Sequence, residues 1–210
     1  MPKTNAVNDT LKLPLAEEFD SDLAALLQDG EVMESITIAA MDLDNILAVN
    51  DRYGYAEGDA MLIAAGRYFL EQLPEGAKLY RYAGDMFTIL FAPGTEKEEA
   101  FLQMEQLRKN YPVATHDGVK QTITIGIATA PEDGARATEL MSKADGALYR
   151  AKVNGRDRVC LAREEKMVTK TSHYTVDQLQ RLTKLSKREG VGEAVLLREA
   201  LNALLKKYEV

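Results

Sequence analysis

Hydrophobic residues along the first three quarters of the chain recur at two spacings, one typical of strands and one typical of helices. Short apolar runs rich in β-branched and aromatic residues predict strands over 36–40, 78–82, 85–91, 121–130 and 158–161. Apolar residues at helical spacing predict helices over 15–27, 96–108 and 137–152. Strands that alternate with helices in this way predict one domain, over 15–162, built around a single sheet. Residues 1–14 precede this pattern and predict a flexible amino terminus.

The last part of the chain has a different pattern. Residues 169–174 are polar and compatible with a strand, and apolar residues then predict helices over 177–189 and 193–207 with a glycine-rich turn between them. A unit over 169–210 is too short to bury a core of its own and predicts dimerisation. Residues 163–168 are the predicted linker between the two domains.

Charge divides the chain in the same place. The net charge is −7, yet residues 166–210 hold nine Lys or Arg against five Asp or Glu. A basic end on an acidic chain is typical of a segment that faces nucleic acid, although solvated helix faces also produce such a split. No apolar run approaches the roughly 18 residues that a membrane span needs, and the amino terminus lacks a signal pattern. The sequence therefore predicts a soluble, cytoplasmic protein without a membrane partner.

Carboxylates lie at the ends of two predicted strands. Asp42 and Asp44 follow the first strand, and Asp85 follows the Ala83–Gly84 tip of a predicted hairpin. If the two strands are neighbours, these acids meet at one edge of the sheet and present oxygen ligands to a hard cation such as Mg²⁺. The alternative is a polar strand end in which Asp44 caps a short helix.

Five ordered blocks carry a resemblance to a known family. They are Asp42-Leu43-Asp44, Asn50-Asp51, Gly58-Asp59, the hairpin Arg81-Tyr82-Ala83-Gly84-Asp85-Met86-Phe87, and the stretch from Ala144-Asp145 to Gly155-Arg156. In this order the blocks resemble a GGDEF domain of the diguanylate cyclase family over about residues 33–162. The resemblance implies an α+β fold with the ferredoxin-like sheet of nucleotidyl cyclases, antiparallel and covered by helices on one face.

The resemblance also implies a role for particular residues. Asp42, the carbonyl of Leu43, and Asp85 would hold Mg²⁺ on a bound GTP, and Asp85 would be catalytic in an active cyclase. The remaining nucleotide-binding positions are the guanine-reading pair Asn50 and Asp59, the hairpin residues Ala83 and Gly84, and the phosphate-binding Lys152 and Arg156. Taken alone, Asn50 and Asp59 are more often a turn residue and a helix N-cap. The alternative for Lys152 and Arg156 is a pair of cations favoured at a helix end by the dipole.

Several positions depart from the family pattern. Met86 stands in place of the usual Glu of the hairpin, Leu47 in place of a phosphate-binding lysine, and Tyr55 in place of a histidine. The first hairpin glycine is Ala83, and the family's RxxD feedback motif is absent because its positions hold Pro74 and Ala77. One acidic and one cationic contact to the triphosphate are thus missing, so we expect weak or absent cyclase activity with nucleotide binding retained.

The last domain resembles a second family. From Tyr174 to Leu205 the spacing is similar to that of a ribbon-helix-helix DNA-binding domain of the MetJ/Arc type. Members of this family pair strands between two chains and lay the ribbon in the major groove of double-stranded DNA. By this resemblance Thr169, Thr171 and His173 face base edges, and Lys170 meets phosphates. The alternative is a helical hairpin that dimerises or packs on the first domain.

Two functions follow from these resemblances. One is a homodimeric DNA-binding transcriptional regulator whose degenerate GGDEF domain senses GTP or cyclic di-GMP with Mg²⁺. The other is an active diguanylate cyclase that makes cyclic di-GMP from two GTP molecules and uses the last domain as a dimeriser. The sequence leans toward the regulator because of Met86 and Leu47.

Overall fold

The computed structural model describes residues 4–27, 34–162, 172–189 and 193–207. The chain forms two compact units, residues 1–165 and 166–210. The elements of the first unit are α1 (Thr4–Leu11), α2 (Ala16–Leu26), β1 (Ile36–Leu43), α3 (Ile46–Tyr53), α4 (Tyr55–Glu71), β2 (Lys78–Ala83), β3 (Met86–Leu90), α5 (Lys97–Lys109), β4 (Ile123–Ala130), α6 (Ala137–Val153) and β5 (Val159–Leu161). Those of the second unit are α7 (Val176–Glu189) and α8 (Glu193–Lys207).

One five-stranded sheet with the order β2-β3-β1-β4-β5 organises the first unit. The central strand β1 pairs antiparallel with β3 and with β4, whereas β5 pairs parallel with β4. The first four strands and the helices between them form the ferredoxin-like βαββαβ arrangement. The α+β prediction is confirmed, but the expectation of a wholly antiparallel sheet was wrong, because β5 adds a parallel edge.

Helices cover both faces of the sheet, and the expectation of one covered face was wrong. Side chains of a strand alternate between the faces, and both sets of β1 are buried. One set, with Ala39 and Met41, packs against α3, α4 and α5. The other set, with Ile38 and Ala40, packs against α2 and α6. A strand buried on both faces reads as a continuous apolar run, so the run over 36–40 was itself a signal of two covered faces. The expectation of one covered face came from the family resemblance.

The described part of the amino terminus contains a helix, α1, within the segment over 1–14 that the sequence predicted to be flexible. In α1, Val7 is 1% exposed and Leu11 packs against α4, where a Cβ atom added at Gly66 would lie 3.1 Å from Leu11 Cδ2. Val7 and Leu11 are four residues apart and therefore share one face of the helix. Two apolar contacts in a polar stretch are enough to dock the helix, and a short pattern of this kind is easily missed in sequence.

The second unit confirms the two predicted helices. Before α7, Thr175 forms a capping box with Gln178, since Thr175 N donates to Gln178 Oε1 at 2.9 Å and Gln178 N donates to Thr175 Oγ1 at 3.2 Å. The described apolar side chains of this unit leave an open groove lined by Tyr174, Leu179, Leu182, Leu185 and Leu197. Within the described parts of the chain, no helix combines the length and apolar character needed to cross a membrane.

Candidate nucleotide site

The carboxylates at the end of β1 and in the β2–β3 hairpin lie next to each other. The β1–β3 register pairs Asp42 with Met86, and Asp85 immediately precedes Met86 in the hairpin turn. Burial raises the pKa of Asp42, and the negative charge of Asp85 raises it further. The predicted adjacency of the two strands is therefore confirmed, and it brings two acids of like charge to one end of the sheet.

A lysine from α6 approaches the same carboxylate. Lys152 Nζ lies 2.7 Å from Asp42 Oδ2, and the side chains are 32% and 13% exposed. The positive charge of Lys152 opposes the effect of burial on the pKa of Asp42. Lys152 is in the last turn of α6, where the helix dipole also favours a cation. Its position fits the reading of a cation at a helix end, and its charge partly neutralises the acid pair. The binding of phosphate by Lys152 stays a prediction.

The donor set at this site fits Mg²⁺. Among the described residues, no three His, Cys, Asp or Glu side chains come together as a metal-ligand group. Mg²⁺ does not need such a cage, because it is usually held by one or two carboxylates and by substrate phosphates. Asp42, Asp85 and the Leu43 carbonyl would supply only oxygen ligands, as this ion prefers. When bound, the ion would neutralise charge on nucleotide phosphates.

Asp44 has a structural role and does not join Asp42. Its carboxylate is buried and accepts hydrogen bonds from Thr122 Oγ1 at 2.7 Å, Thr124 Oγ1 at 2.6 Å and the backbone N–H of Asp157 at 3.2 Å. These bonds fix the start of β4 and the loop before β5 to the end of β1. The N-cap of α3 is Asn45, in a left-handed conformation without a side-chain cap. The alternative in which Asp44 caps a helix was therefore wrong.

The predicted guanine-reading residues lie inside two consecutive helices. Asn50 is in α3 and Asp59 is in α4, so neither is a turn residue or an N-cap. The Asn50 Oδ1 atom is buried and has no hydrogen-bond partner. Gly58 faces it, since an added Cβ atom would overlap Oδ1 and lie 3.0 Å from Asn50 Cγ. Asp59 is half-buried, and the assignment of Asn50 and Asp59 to a base stays a prediction.

The hairpin turn consists of Gly84 and Asp85, one residue later than predicted. Ala83 ends β2 and pairs with Met86, and Gly84 has a φ of 49°. The left-handed conformation falls on the glycine that is retained, so Ala83 causes no backbone strain. Ala83 and Gly84 are both exposed at this end of the sheet. The contact of this turn with a nucleotide phosphate, which the resemblance implies, stays a prediction.

Three positions that the sequence analysis identified as departures from the family pattern lie in α3, at the start of α4 and at the start of β3. Leu47 is 72% exposed on α3, and Tyr55 is 65% exposed at the start of α4. Met86 is half-buried and packs against the cluster on the α2–α6 face of the sheet.

Arg156, the second residue that the resemblance assigns to phosphate, is exposed in the loop after α6.

The predicted DNA-binding residues are mostly outside the described parts of the chain. Thr169, Lys170 and Thr171 lie there, as does the predicted linker over 163–168. His173 is described and exposed just before α7. Their assignment to DNA stays a prediction.

Asp145 in α6 titrates near the same lysine. Burial raises the pKa of Asp145 from 3.8 to about 6, and Lys152 opposes this rise only in part. A raised pKa means that the folded chain loses stability as pH rises from about 4 to about 6. We expect Asp145→Asn to match the wild type below pH 4 and to be more stable above pH 6. The side chain is surrounded by protein on one side but keeps an exposed surface, so solvent screens its charge. The gain should therefore be only about 1 kcal/mol, less than a shift of about two pKa units implies. Urea unfolding across this pH range measures the difference, and a gain that is independent of pH would contradict it.

These observations define a class of protein, a nucleotidyl-cyclase-type α+β domain with an acid pair beside a hairpin. Comparison with known families agrees. A family model described as "Diguanylate cyclase, GGDEF domain" matches residues 9–158, and a model described as "Ribbon-helix-helix domain" matches residues 169–209. The chain belongs to the GGDEF, or diguanylate cyclase, family and carries a ribbon-helix-helix domain after it.

Individual relatives agree with this assignment. The bifunctional diguanylate cyclase/cyclic di-GMP phosphodiesterase MucR of Pseudomonas aeruginosa is 32% identical over 74% of this chain and 23% of its own length. Diguanylate cyclase A of Treponema denticola is 31% identical over 67% of this chain and 39% of its own length. The chain thus aligns with well under half the length of either relative.

Solved structures show the same fold. The crystal structure of the GGDEF domain of TpbB from Pseudomonas aeruginosa has a TM-score of 0.68 and 31% identity, over 74% of this chain and 99% of that one. The GGDEF domain of DgcB from Caulobacter crescentus, in complex with c-di-GMP, has a TM-score of 0.65 and 25% identity, over 78% of this chain and 97% of that one.

Sequence reasoning assigned no role to Gly58 or Arg81, although both lie in the motifs it used. A glycine inside a helix and an arginine that follows two buried residues of a strand are each unusual, and these were the signals available.

Proposed function

We propose that this protein is a dimeric DNA-binding transcriptional regulator whose GGDEF domain binds a guanine nucleotide, GTP or cyclic di-GMP, with Mg²⁺ as a sensor. The observation that carries this proposal is the convergence of Asp42, Asp85 and Lys152 at one end of the sheet, where two acids and a lysine can receive a metal–phosphate group. Asn50 and Asp59 supply acceptors for the base.

A sensor is favoured over an enzyme because the site lacks two charges of the family pattern. Leu47 presents an exposed apolar side chain where a lysine is expected, and Met86 cannot act as an acid. Electrostatic contacts to developing charge are worth about 100-fold or more in rate when removed singly. Binding of the ground-state nucleotide depends less on such contacts, because they strengthen mainly in the transition state.

The second unit supports a DNA-binding dimer. Its helices expose apolar side chains, including Leu179, Leu201 and Leu204, which are 44%, 53% and 51% exposed. Apolar exposure on this scale in so small a unit is expected when a second copy covers it. A dimer would place two GGDEF domains on one DNA site through short linkers. A nucleotide that prefers one mutual arrangement of the two domains would then change the affinity for DNA.

One observation favours the second candidate, an active diguanylate cyclase. Both carboxylates of the metal site, Asp42 and Asp85, are retained, and joining two GTP molecules needs two facing sites that a dimer would provide. The residue that would act in catalysis is then Asp85.

Two measurements on the purified full-length protein separate the candidates. With GTP and Mg²⁺, we expect at least about 100-fold less cyclic di-GMP than from an active family member under the same conditions. In gel shifts with genomic fragments, we expect DNA binding that weakens as salt rises, because counterions are released from phosphates.

A chain truncated after Arg163 is the control for the gel shift, since it keeps the first compact unit and should not bind DNA. Rapid cyclic di-GMP formation that Asp85→Ala abolishes would instead establish the cyclase. Equal DNA binding by the truncated chain would contradict the role of the second unit.

A further inference from the structure

The loop between α6 and β5 has an unusual backbone conformation. After Gly155, two consecutive residues with side chains, Arg156 and Asp157, have φ angles of 60° and 44°. Aspartate tolerates this left-handed region, but arginine is rarely found there because its Cβ atom crowds the backbone. Strained residues of this kind persist where surrounding contacts hold them, and they cluster at functional sites. The loop thus keeps an arginine at a position that glycine would occupy at a lower cost in free energy.

Arg156 is exposed and follows directly on the helix that carries Lys152. Its backbone N–H donates to the carbonyl of Ala151 at 3.0 Å, so the loop turns back against the last turn of α6. In that turn, Lys152 Nζ lies 2.7 Å from Asp42 Oδ2. Among the residues that the structure describes, none forms an ion pair with the guanidinium group of Arg156. This group can therefore receive phosphate oxygens of a ligand.

Buried polar groups hold the loop from the side of the sheet. The backbone N–H of Asp157 donates to Asp44 Oδ2 at 3.2 Å and to Thr124 Oγ1 at 3.1 Å. Asp44 is 2% exposed and follows Asp42 by two residues at the end of β1. The residue next to Arg156 is thus bonded directly to the segment that carries the proposed metal ligands.

A second contact holds the loop from α5. Arg108 Nη1 donates to Asp157 Oδ1 at 2.7 Å. The Arg108 side chain is 14% exposed, and Glu105 fixes its orientation by accepting from Nε at 3.1 Å and from Nη2 at 3.0 Å. The Asp157 side chain is 46% exposed, so this ion pair contributes little to the stability of the whole domain. Its effect is local, because it favours one conformation of a strained loop.

We propose that Arg108 and Asp157 are positioning residues, which hold the loop in the backbone conformation that directs Arg156 toward a phosphate group of the bound nucleotide. This inference rests on the proposed binding of a guanine nucleotide by the GGDEF domain. Neither Arg108 nor Asp157 needs to touch the ligand, since both act through the backbone next to Arg156. Fixing a ligand-binding side chain before the ligand arrives lowers the conformational cost of binding.

The test is a double-mutant cycle on the affinity for GTP, measured by titration calorimetry of the full-length protein with Mg²⁺. Arg108→Gln should weaken GTP binding about fivefold, as expected for the loss of a partly exposed ion pair. Arg156→Gln removes the phosphate contact itself and should weaken GTP binding at least about tenfold. In the Arg156→Gln background, Arg108→Gln should cost less than about twofold, because no arginine is left to position.

Asp157→Gly removes the other partner of the ion pair with little risk to folding, since glycine accepts the left-handed conformation. It should lose as much affinity as Arg108→Gln and show the same dependence on Arg156. Lys109→Gln is the matched control, because Lys109 is an exposed cation of the same helix that pairs with Glu105 at 3.3 Å. It removes the same charge without touching the loop, so the affinity for GTP should stay within about twofold of the wild type.

A loss from Arg108→Gln that is equally large in the Arg156→Gln background would overturn the proposal, because Arg108 would then serve only the fold. Unchanged affinity in Arg108→Gln or in Arg156→Gln would overturn it as well. An equal loss in Lys109→Gln would assign the effect to net charge and would also overturn it. Wild-type protein that binds no GTP would refute the proposed function itself.

Discussion

Replacing Gly58 by alanine is expected to lower the affinity for GTP by about 100-fold while leaving the fold intact. The added methyl group would occupy the position of Asn50 Oδ1, so the Asn50 side chain must turn away from the base. A site built to hydrogen-bond a substrate discriminates strongly when its polar groups are misplaced. Alanine is also the better helix former by about 1 kcal/mol, so the melting temperature should not fall. Titration calorimetry and thermal unfolding measure the two effects.

Asn50→Ala provides the matching control through a double-mutant cycle. Alone, it should lose about as much affinity as Gly58→Ala, because each removes the same amide from the base. Combined, the two changes should cost little more than either one, since the methyl group then has nothing to displace. Tight GTP binding by Gly58→Ala, or additive losses in the double variant, would mean that Asn50 does not read the base.

Replacing Asp85 by alanine is expected to abolish the contribution of Mg²⁺ to nucleotide binding. Asp85 lies in the hairpin turn next to Asp42, and one carboxylate with Lys152 beside it leaves a weak site for a divalent cation. We expect the affinity for GTP in Mg²⁺ to fall about 100-fold and to approach the value measured in EDTA. Any cyclase activity should disappear with it. Titrations of GTP with Mg²⁺ and with EDTA measure the effect.

Asp51→Ala is the control for the loss of one negative charge. Asp51 is an exposed acid of α3, so its removal changes the net charge equally without touching the proposed ligands. It should leave the Mg²⁺ effect unchanged. Asp85 is half-buried in a turn, and its loss should alter the free energy of unfolding by less than about 0.5 kcal/mol. A Mg²⁺ effect of full size in Asp85→Ala would place the cation elsewhere.

The positions of several candidate site residues could be predicted from the sequence, because these residues belong to short motifs at strand ends. Asp42 and Asp85 were expected at neighbouring strand ends, and the β1–β3 pairing confirms that adjacency. The role of Asp44 was harder to predict, because its partners Thr122, just before β4, and Thr124, in β4, are about 80 residues away along the chain. Only the folded chain shows that its oxygens are already bound.

Arg81 and Gly58 also show that a sequence does not reveal which side chains meet in the folded chain. A sequence shows that an arginine lies in a buried strand and that a glycine lies near an asparagine. It does not show that two donors of Arg81 lack acceptors or that Gly58 leaves room for the Asn50 amide. These properties depend on which side chains face one another across β2, β3, α3 and α4.

The sequence by itself determined the two domains and the alternation of strands and helices around one sheet. These features are local, because hydrophobic periodicity acts within a few turns of chain. The residues assigned to Mg²⁺ and guanine came from the resemblance to a family. Tertiary structure decided that α1 docks through Val7, that helices cover both faces of the sheet, and which polar groups remain unpaired. Such outcomes depend on contacts between distant segments, and the burial of one segment is fixed only when the others have packed against it.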